Sequence, residues 1–205
     1  MLYHVHEFHR AVLEPWRWWA QASADSLTSP FSPLSYAPSA NKLVAGFDLM
    51  LRLTKRYGRP EFGITHVDVG GHSAAVTEEV LLDKPFCSLL HFNKARSARN
   101  EPRVLIFAPL SGHYATLLRD TVRTMLPDHD VTITDWKDAR EIPFTEGAFH
   151  FDDYVAYVRE FIKFMQKDGK VHVISVCQPT VPVLAGISLM AANGDAMPAS
   201  MTMMG

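Results

Sequence analysis

Cys177 stands where the apolar run Val171–Val176 (VHVISV) gives way to the helix-forming run Val181–Ala192, in the local sequence Ser175-Val176-Cys177-Gln178-Pro179. A strand-to-helix turn holds a side chain out at the carboxyl edge of a parallel sheet. It also aims backbone amides and the positive end of the helix dipole at that side chain, which stabilises a thiolate. The amide of Gln178 falls where a carbonyl oxygen would gather charge under nucleophilic attack. This is the arrangement of the G-x-S-x-G nucleophile elbow with Cys in place of Ser. Ser175 and Pro179 fill the two positions where that motif carries glycine, so the pattern by itself is weak. The competing reading is a buried cysteine acting as a small hydrophobe.

The segment Pro109-Leu110-Ser111-Gly112-His113-Tyr114 follows directly on another apolar run, Arg103–Pro109. A hydrolase sheet takes its second oxyanion amide from such a loop. Ser111 and Gly112 are the candidate backbone donors, and His113 and Tyr114 are candidates to line a substrate cleft. A plain turn with Gly for conformation is the alternative. The two strands are expected to be neighbours, so both loops can reach one carbonyl. Asp135-Trp136 ends a strand on the same edge; Trp136 is either cleft lining or structural.

Other residues carry less. On a helix His4 and His6 point apart, so His4, His6 and His9 read as a solvated face rather than a metal site. Trp16, Trp18 and Trp19 with Phe8 could lie on an apolar polymer surface, but packing within the protein is the favoured reading. Cys87 reads as an inert core thiol, and Glu78 and Glu79 as a solvated strand start. Gly70-Gly71 lacks the strand-to-helix context of a phosphate loop.

These residues need a scaffold, and the periodicities supply one. Val5, Phe8, Val12, Trp16 and Trp19 form a stripe of helical period that Pro15 should break or kink. Residues 29–40 form a Pro/Ser loop, and a second helix runs from about Lys42 to Arg56, ended by Tyr57-Gly58-Arg59-Pro60. Beyond residue 60 strands and helices alternate. Strands are expected at Ile64–Val69, Glu79–Leu82 with Phe86–Phe92, Arg103–Pro109, Asp130–Trp136, Val171–Val176 and Met201–Met204. Helices are expected at Tyr114–Leu126, Phe151–Gln166 and Val181–Ala192. Two initial strands followed by this alternation make an α/β fold with a mostly parallel, doubly wound sheet and helices on both faces. The domains read as a helical extension over residues 1–60 and the sheet over 61–205.

Composition narrows the function. In 205 residues, 47% apolar and 20% charged side chains allow a sizeable core. A net charge of −2 gives no basic footprint for nucleic acid. No uninterrupted apolar stretch of about 18 residues exists, so no membrane span is expected, and the first ten residues do not resemble a secretory signal. Two cysteines make no disulfide framework and fit a reducing cytosol.

The runs RVLIFAPLSGHYATLLRDTV, DVTITDWKDAREIP and VHVISVCQPTVP, with the His91–Lys94 segment HFNK, resemble the intracellular poly(3-hydroxybutyrate) depolymerases of bacteria. The resemblance extends across nearly the whole chain. It implies an α/β-hydrolase fold, a cytoplasmic protein associated with polyhydroxybutyrate granules or oligomers, and no metal or organic cofactor. It also implies a Cys-His-Asp triad with Cys177 as the nucleophile that forms an acyl-thioester. Homo-oligomer formation is left open. The chain departs from the family in one respect: the triad runs nucleophile, acid, histidine, yet all ten histidines precede Cys177, and Asp195 is the only acid after it. The expectation is therefore the N-terminal portion of such an enzyme, with its last strands and helices missing, inactive alone and with the strand at Met201–Met204 left for something to cover. The alternatives are a polyhydroxyalkanoate synthase-like acyltransferase, whose relatives keep glycines around the Cys, and a non-catalytic granule-associated protein.

Overall fold

The computed structural model describes residues 2–55, 58–97, 100–110 and 114–205, which fall into two compact units, Met1–Gly58 and Arg59–Gly205. The first unit is a helical hairpin of α1 (Leu2–Thr28) and α2 (Ala40–Thr54), joined through a 3₁₀ turn at Pro33–Tyr36. Pro15 lies inside α1 and does not end it. A proline deletes one donor and crowds one carbonyl, and a helix of 27 residues carries that loss on its remaining turns. Trp19 packs edge-to-face on Phe47 of α2 at 5.4 Å and on Trp16 at 6.3 Å. Both Trp16 and Trp18 remain exposed. Among the described residues no helix is long and apolar enough to cross a membrane.

The second unit is a seven-stranded sheet in the order β1-β2-β3-β5-β4-β6-β7. Its strands are β1 (His66–Val69), β2 (His72–Asp83), β3 (Cys87–Lys94), β4 (Arg103–Phe107), β5 (Asp130–Trp136), β6 (Val171–Val176) and β7 (Ser200–Met204). The first three pairings are antiparallel, and those of β5 with β4, β4 with β6 and β6 with β7 are parallel, so five of the seven strands share one direction. Gly70 and Gly71 take φ of 60° and 78°, the left-handed pair that a two-residue hairpin between β1 and β2 requires.

β2 is longer than the sequence suggests and places Glu78 and Glu79 mid-strand rather than at its start. Their alternation is poor because the outer half of β2 is solvated. Pairing with β1 and β3 on its two sides holds it extended, with one bulge at Leu81, where Val80 faces Leu90 and Leu82 faces Leu89. Asp83-Lys84-Pro85 is accordingly a hairpin between two separate strands.

Two cores flank the sheet. Val104, Ile106, Val131 and Ile133 face Leu118, Val122 and Leu126, the last two at α3 (Arg119–Met125) and its end. On the other face Leu105, Phe107, Val171 and Val173 meet Val158, Phe161 and Ile162 of α4 (Phe151–Met165). There they also meet Val183, Ile187 and Met190 of α5 (Thr180–Ala192). β4 is therefore covered on both sides, which is why its sequence is a continuous apolar run. At Gly186 a Cβ would come within 2.9 Å of Val158 Cγ1, so α4 and α5 approach as closely as they do because that residue has no side chain.

Chain connections leave β4 toward β5 on one side and β6 toward β7 on the other. The gap between the carboxyl ends of β4 and β6 is thus a topological switch point, where open α/β sheets bind ligands. The residues that follow those two ends are Ala108–Leu110 and Cys177.

Candidate active site

Cys177 opens the three-residue turn between β6 and α5 with φ of 65°, and Asn100 is the other non-glycine residue at positive φ among those described. The left-handed conformation costs a non-glycine residue about 1–2 kcal/mol, and asparagine tolerates it better than cysteine does. The turn is pinned from both sides. The Cys177 amide donates to Met204 O at 2.6 Å, and its carbonyl accepts from the amide and hydroxyl of Thr180 at 3.1 and 2.8 Å. Its thiol is free and exposed, and among the described residues Sγ has no hydrogen-bond partner. Cys87 is the opposite case. It is wholly buried at the start of β3, and burial pushes its thiol well above the ordinary cysteine range.

Across the switch point the exit of β4 is held by β5. The Ala108 amide donates to Thr134 Oγ1 at 2.9 Å, and Trp136 Nε1 donates to Ala108 O at 2.9 Å. With both backbone groups of Ala108 taken by side chains, the next residues are fixed in direction. The Leu110 amide turns toward the elbow and donates to Oε1 of Gln178 at 2.9 Å, a contact between residues 68 apart in sequence. Leu110, next to the candidates Ser111 and Gly112, thus aims a loop amide at the elbow. Ser111, Gly112 and His113 lie outside the described residues, as do the side chains of His4, His6 and His9.

Beside this exit lies a cavity of about 490 Å³ whose walls include Leu110, Trp136, Ile142, Phe144 and Phe149, with Lys137 at the rim. Trp136 is 3% exposed and lies in an aromatic cluster, 4.6 Å from Tyr154 and 5.7 Å from Phe149. It both lines the cavity and anchors Ala108. Tyr114 is outside that cavity lining. Its hydroxyl donates to Asp138 Oδ2 at 3.1 Å, and Arg140 pairs with the same carboxylate. That pairing holds Asp138 well below the usual carboxylate range.

None of the described acids or histidines bonds to Sγ. Asp195 precedes β7, pairs with Lys163 at 2.8 Å, and belongs to the amino edge of the sheet. β6 separates that edge from the elbow by roughly 20 Å at about 3.3 Å per residue. His172 is at the same far end and meets Ser200 Oγ at 2.8 Å. His91 and His129 also serve that edge, where His91 Nε2 lies 2.6 Å from Asp130 Oδ1. His150 opens α4, its amide donating to Asp153 Oδ2 at 2.7 Å. Among the described residues no group of three or more His, Cys, Asp or Glu side chains is placed to hold a metal ion.

Sequence reasoning missed the Leu110 amide and the Gln178 side chain. A backbone donor has no sequence signature, and their meeting depends on two strands far apart in the chain. The available signal was that Leu110 and Cys177 each follow the end of one of two adjacent apolar strands.

A strand order with the switch point between β4 and β6, followed by a strained, exposed residue leading into α5, is the α/β-hydrolase arrangement. No protein-family model matches the chain, and no curated protein matches it. Among the solved structures it is similar to, three serve as examples. One is a Staphylococcus aureus protein assigned as an esterase (16% identity, TM-score 0.46, covering 80% of this chain and 52% of that one). Another is a hormone-sensitive lipase from a metagenome library (17%, 0.42, 91% and 56%). The third is an esterase/lipase from an uncultured bacterium (14%, 0.41, 88% and 55%). The chain spans about half the length of these proteins.

Proposed function

We propose that this chain carries the nucleophile of an ester hydrolase and that Cys177 is that nucleophile. The observation that carries the reading is the left-handed backbone at an exposed cysteine on the switch-point edge of the sheet. Strain of this kind persists where surrounding structure over-determines it, and it clusters at reacting residues. In the reaction Sγ bonds to the ester carbonyl carbon, and the carbonyl electrons move onto oxygen. The amides of Gln178 and Leu110 receive that charge. Collapse breaks the C–O bond, the alcohol leaves with the thiol proton, and an acyl-thioester remains. Water then releases the acid and restores the thiol.

The substrate we assign is poly(3-hydroxybutyrate) or its oligomers, in a cytoplasmic protein associated with the storage granule. Support comes from the resemblance in the three quoted runs, and the cavity beside Leu110 has apolar walls suited to a short branched aliphatic unit. Because Sγ has no base among the described residues, acylation should outrun deacylation and give a stoichiometric burst rather than turnover.

The test is intact-mass analysis of the 205-residue chain incubated with a p-nitrophenyl ester of 3-hydroxybutyrate. One 3-hydroxybutyryl group is expected on Cys177, none on Cys87, and none in Cys177→Ala. A wild-type chain that iodoacetamide alkylates at Cys177 but that the ester leaves unmodified would overturn the reading. Acyl transfer that required coenzyme A would redirect it to a synthase-like enzyme.

A further inference from the structure

The residue that offers one oxyanion amide also occupies the other. Gln178 Oε1 takes the Leu110 N–H at 2.9 Å, inside the range of about 2.7–3.1 Å that oxyanion donors hold to their charged oxygen. An amide N–H makes one short, well-aligned bond, so the carboxamide oxygen and a substrate oxygen exclude each other there. Both are sp² carbonyl acceptors. The Gln178 side chain is exposed, so it can swing into water without opening a cavity.

We propose that the side chain of Gln178 is a built-in stand-in for the ester carbonyl. It keeps the Leu110 donor aligned and occupied at rest, and yields it to the oxyanion. The proposal rests on reading Cys177 as an ester-attacking thiol. A neutral ester oxygen gains little by displacing a carboxamide, because one neutral hydrogen bond replaces another. A tetrahedral oxyanion displaces it readily, because hydrogen bonds to an ionised oxygen are roughly twice as strong. The donor is therefore withheld from the ground state and released to the transition state, a differential that does not tighten substrate binding. Gln178 acts here as a positioning residue through its side chain, while its backbone amide, untouched by substitution, remains the other donor.

The sign of the effect separates this role from a merely structural brace. Single-turnover acylation of Cys177 by p-nitrophenyl butyrate is followed by intact mass in the wild type, Gln178→Met and Gln178→Glu. Methionine keeps the bulk and removes the acceptor, so acylation should rise about two- to tenfold, the worth of one neutral hydrogen bond. The glutamate carboxylate grips the donor harder and opposes the oxyanion, so acylation should fall below wild type at neutral pH. Measured relative to wild type at each pH, that deficit should shrink as the introduced carboxylate is protonated. A brace predicts that both variants are slower and that the deficit is independent of pH, and this result would overturn the proposal. Equal rates in all three would do the same. A wild-type chain that is alkylated but not acylated at Cys177 refutes the underlying reading instead, and the proposal falls with it.

Discussion

The two edges of one sheet are built on opposite terms. At the amino edge Lys94, Glu101, Arg103 and Asp130 are all paired. Lys94, buried at the end of β3, bonds to Leu126 O and His129 O at 2.5 and 3.0 Å and pairs with Glu101 at 2.7 Å. Arg103 reaches Met165 O at 2.7 Å and Asp130 at 3.4 Å, and Asp130 holds His91. At the carboxyl edge the chain holds a cysteine in a conformation it disfavours, gives its thiol no hydrogen-bond partner among the described residues, and closes a backbone donor with a mobile type of side chain. Paired charges fix the fold at one edge. Strain and loosely held donors at the other are what a reacting group needs, and the rest of the sheet sustains their cost.

The largest expected effect lies at the amino edge. Lys94→Met should cost about 3–5 kcal/mol in urea unfolding, because it breaks a nearly buried ion pair with Glu101 and removes the donor held by Leu126 O and His129 O. A loss below about 1 kcal/mol would show that this edge does not hold the sheet. At the other edge Trp136→Phe removes the bond to Ala108 O and should cost about 1–2 kcal/mol. It should also slow Cys177 acylation, since the direction of Leu110 depends on Ala108; unchanged acylation would separate Trp136 from the site. Cys177→Gly should do the reverse of a normal truncation. It should raise stability by about 1 kcal/mol by relieving the left-handed strain while abolishing acylation. A destabilised glycine variant would break the contrast.

The smallest effects concern two carboxyls at opposite ends of β5. His91 above all, with Arg103, holds Asp130 below the usual carboxylate range. Its contribution to stability is therefore full above its unfolded value, about pH 3.9, and is lost as pH falls through the lower folded value. Burial pushes Asp135 up, with its Arg59 partner opposing. That contribution is full below the same unfolded value and is lost as pH rises through the higher folded one. Urea unfolding between pH 3 and 7 should show Asp130→Asn removing a gain with pH and Asp135→Asn removing a loss, each about 1 kcal/mol or less. Slopes of the same sign would refute the pairing.

Much of this was legible in the sequence, and the reasons differ by element. β5 and β6 match their expected bounds residue for residue, because DVTITDW and VHVISV are short β-branched runs set between polar, Gly- or Pro-bearing turns. The first half of β2, His72–Glu78, lies outside the expected strand Glu79–Leu82, since long-range pairing with β1 and β3, not its own pattern, makes it a strand. Pro15 does not divide the stripe into two helices, because a local breaker competes with a long helix that can absorb it. At the site, Cys177 was visible from the strand-to-helix change. The Leu110 amide facing it was not legible, because only the side chains of Thr134 and Trp136 decide where the β4 exit points.

The bond from the Cys177 amide to Met204 O has a mechanical consequence. β6 and β7 run parallel, so that bond is the last rung of their ladder, and the elbow and the end of β7 share it. A pulling force applied at Gly205 and directed away from β6 would peel β7 from this end. The rung at Cys177 would bear the load before any other. In a single-molecule experiment the elbow would release its left-handed turn while the rest of the sheet was still folded, and the thiol's reactivity would report tension long before the protein came apart.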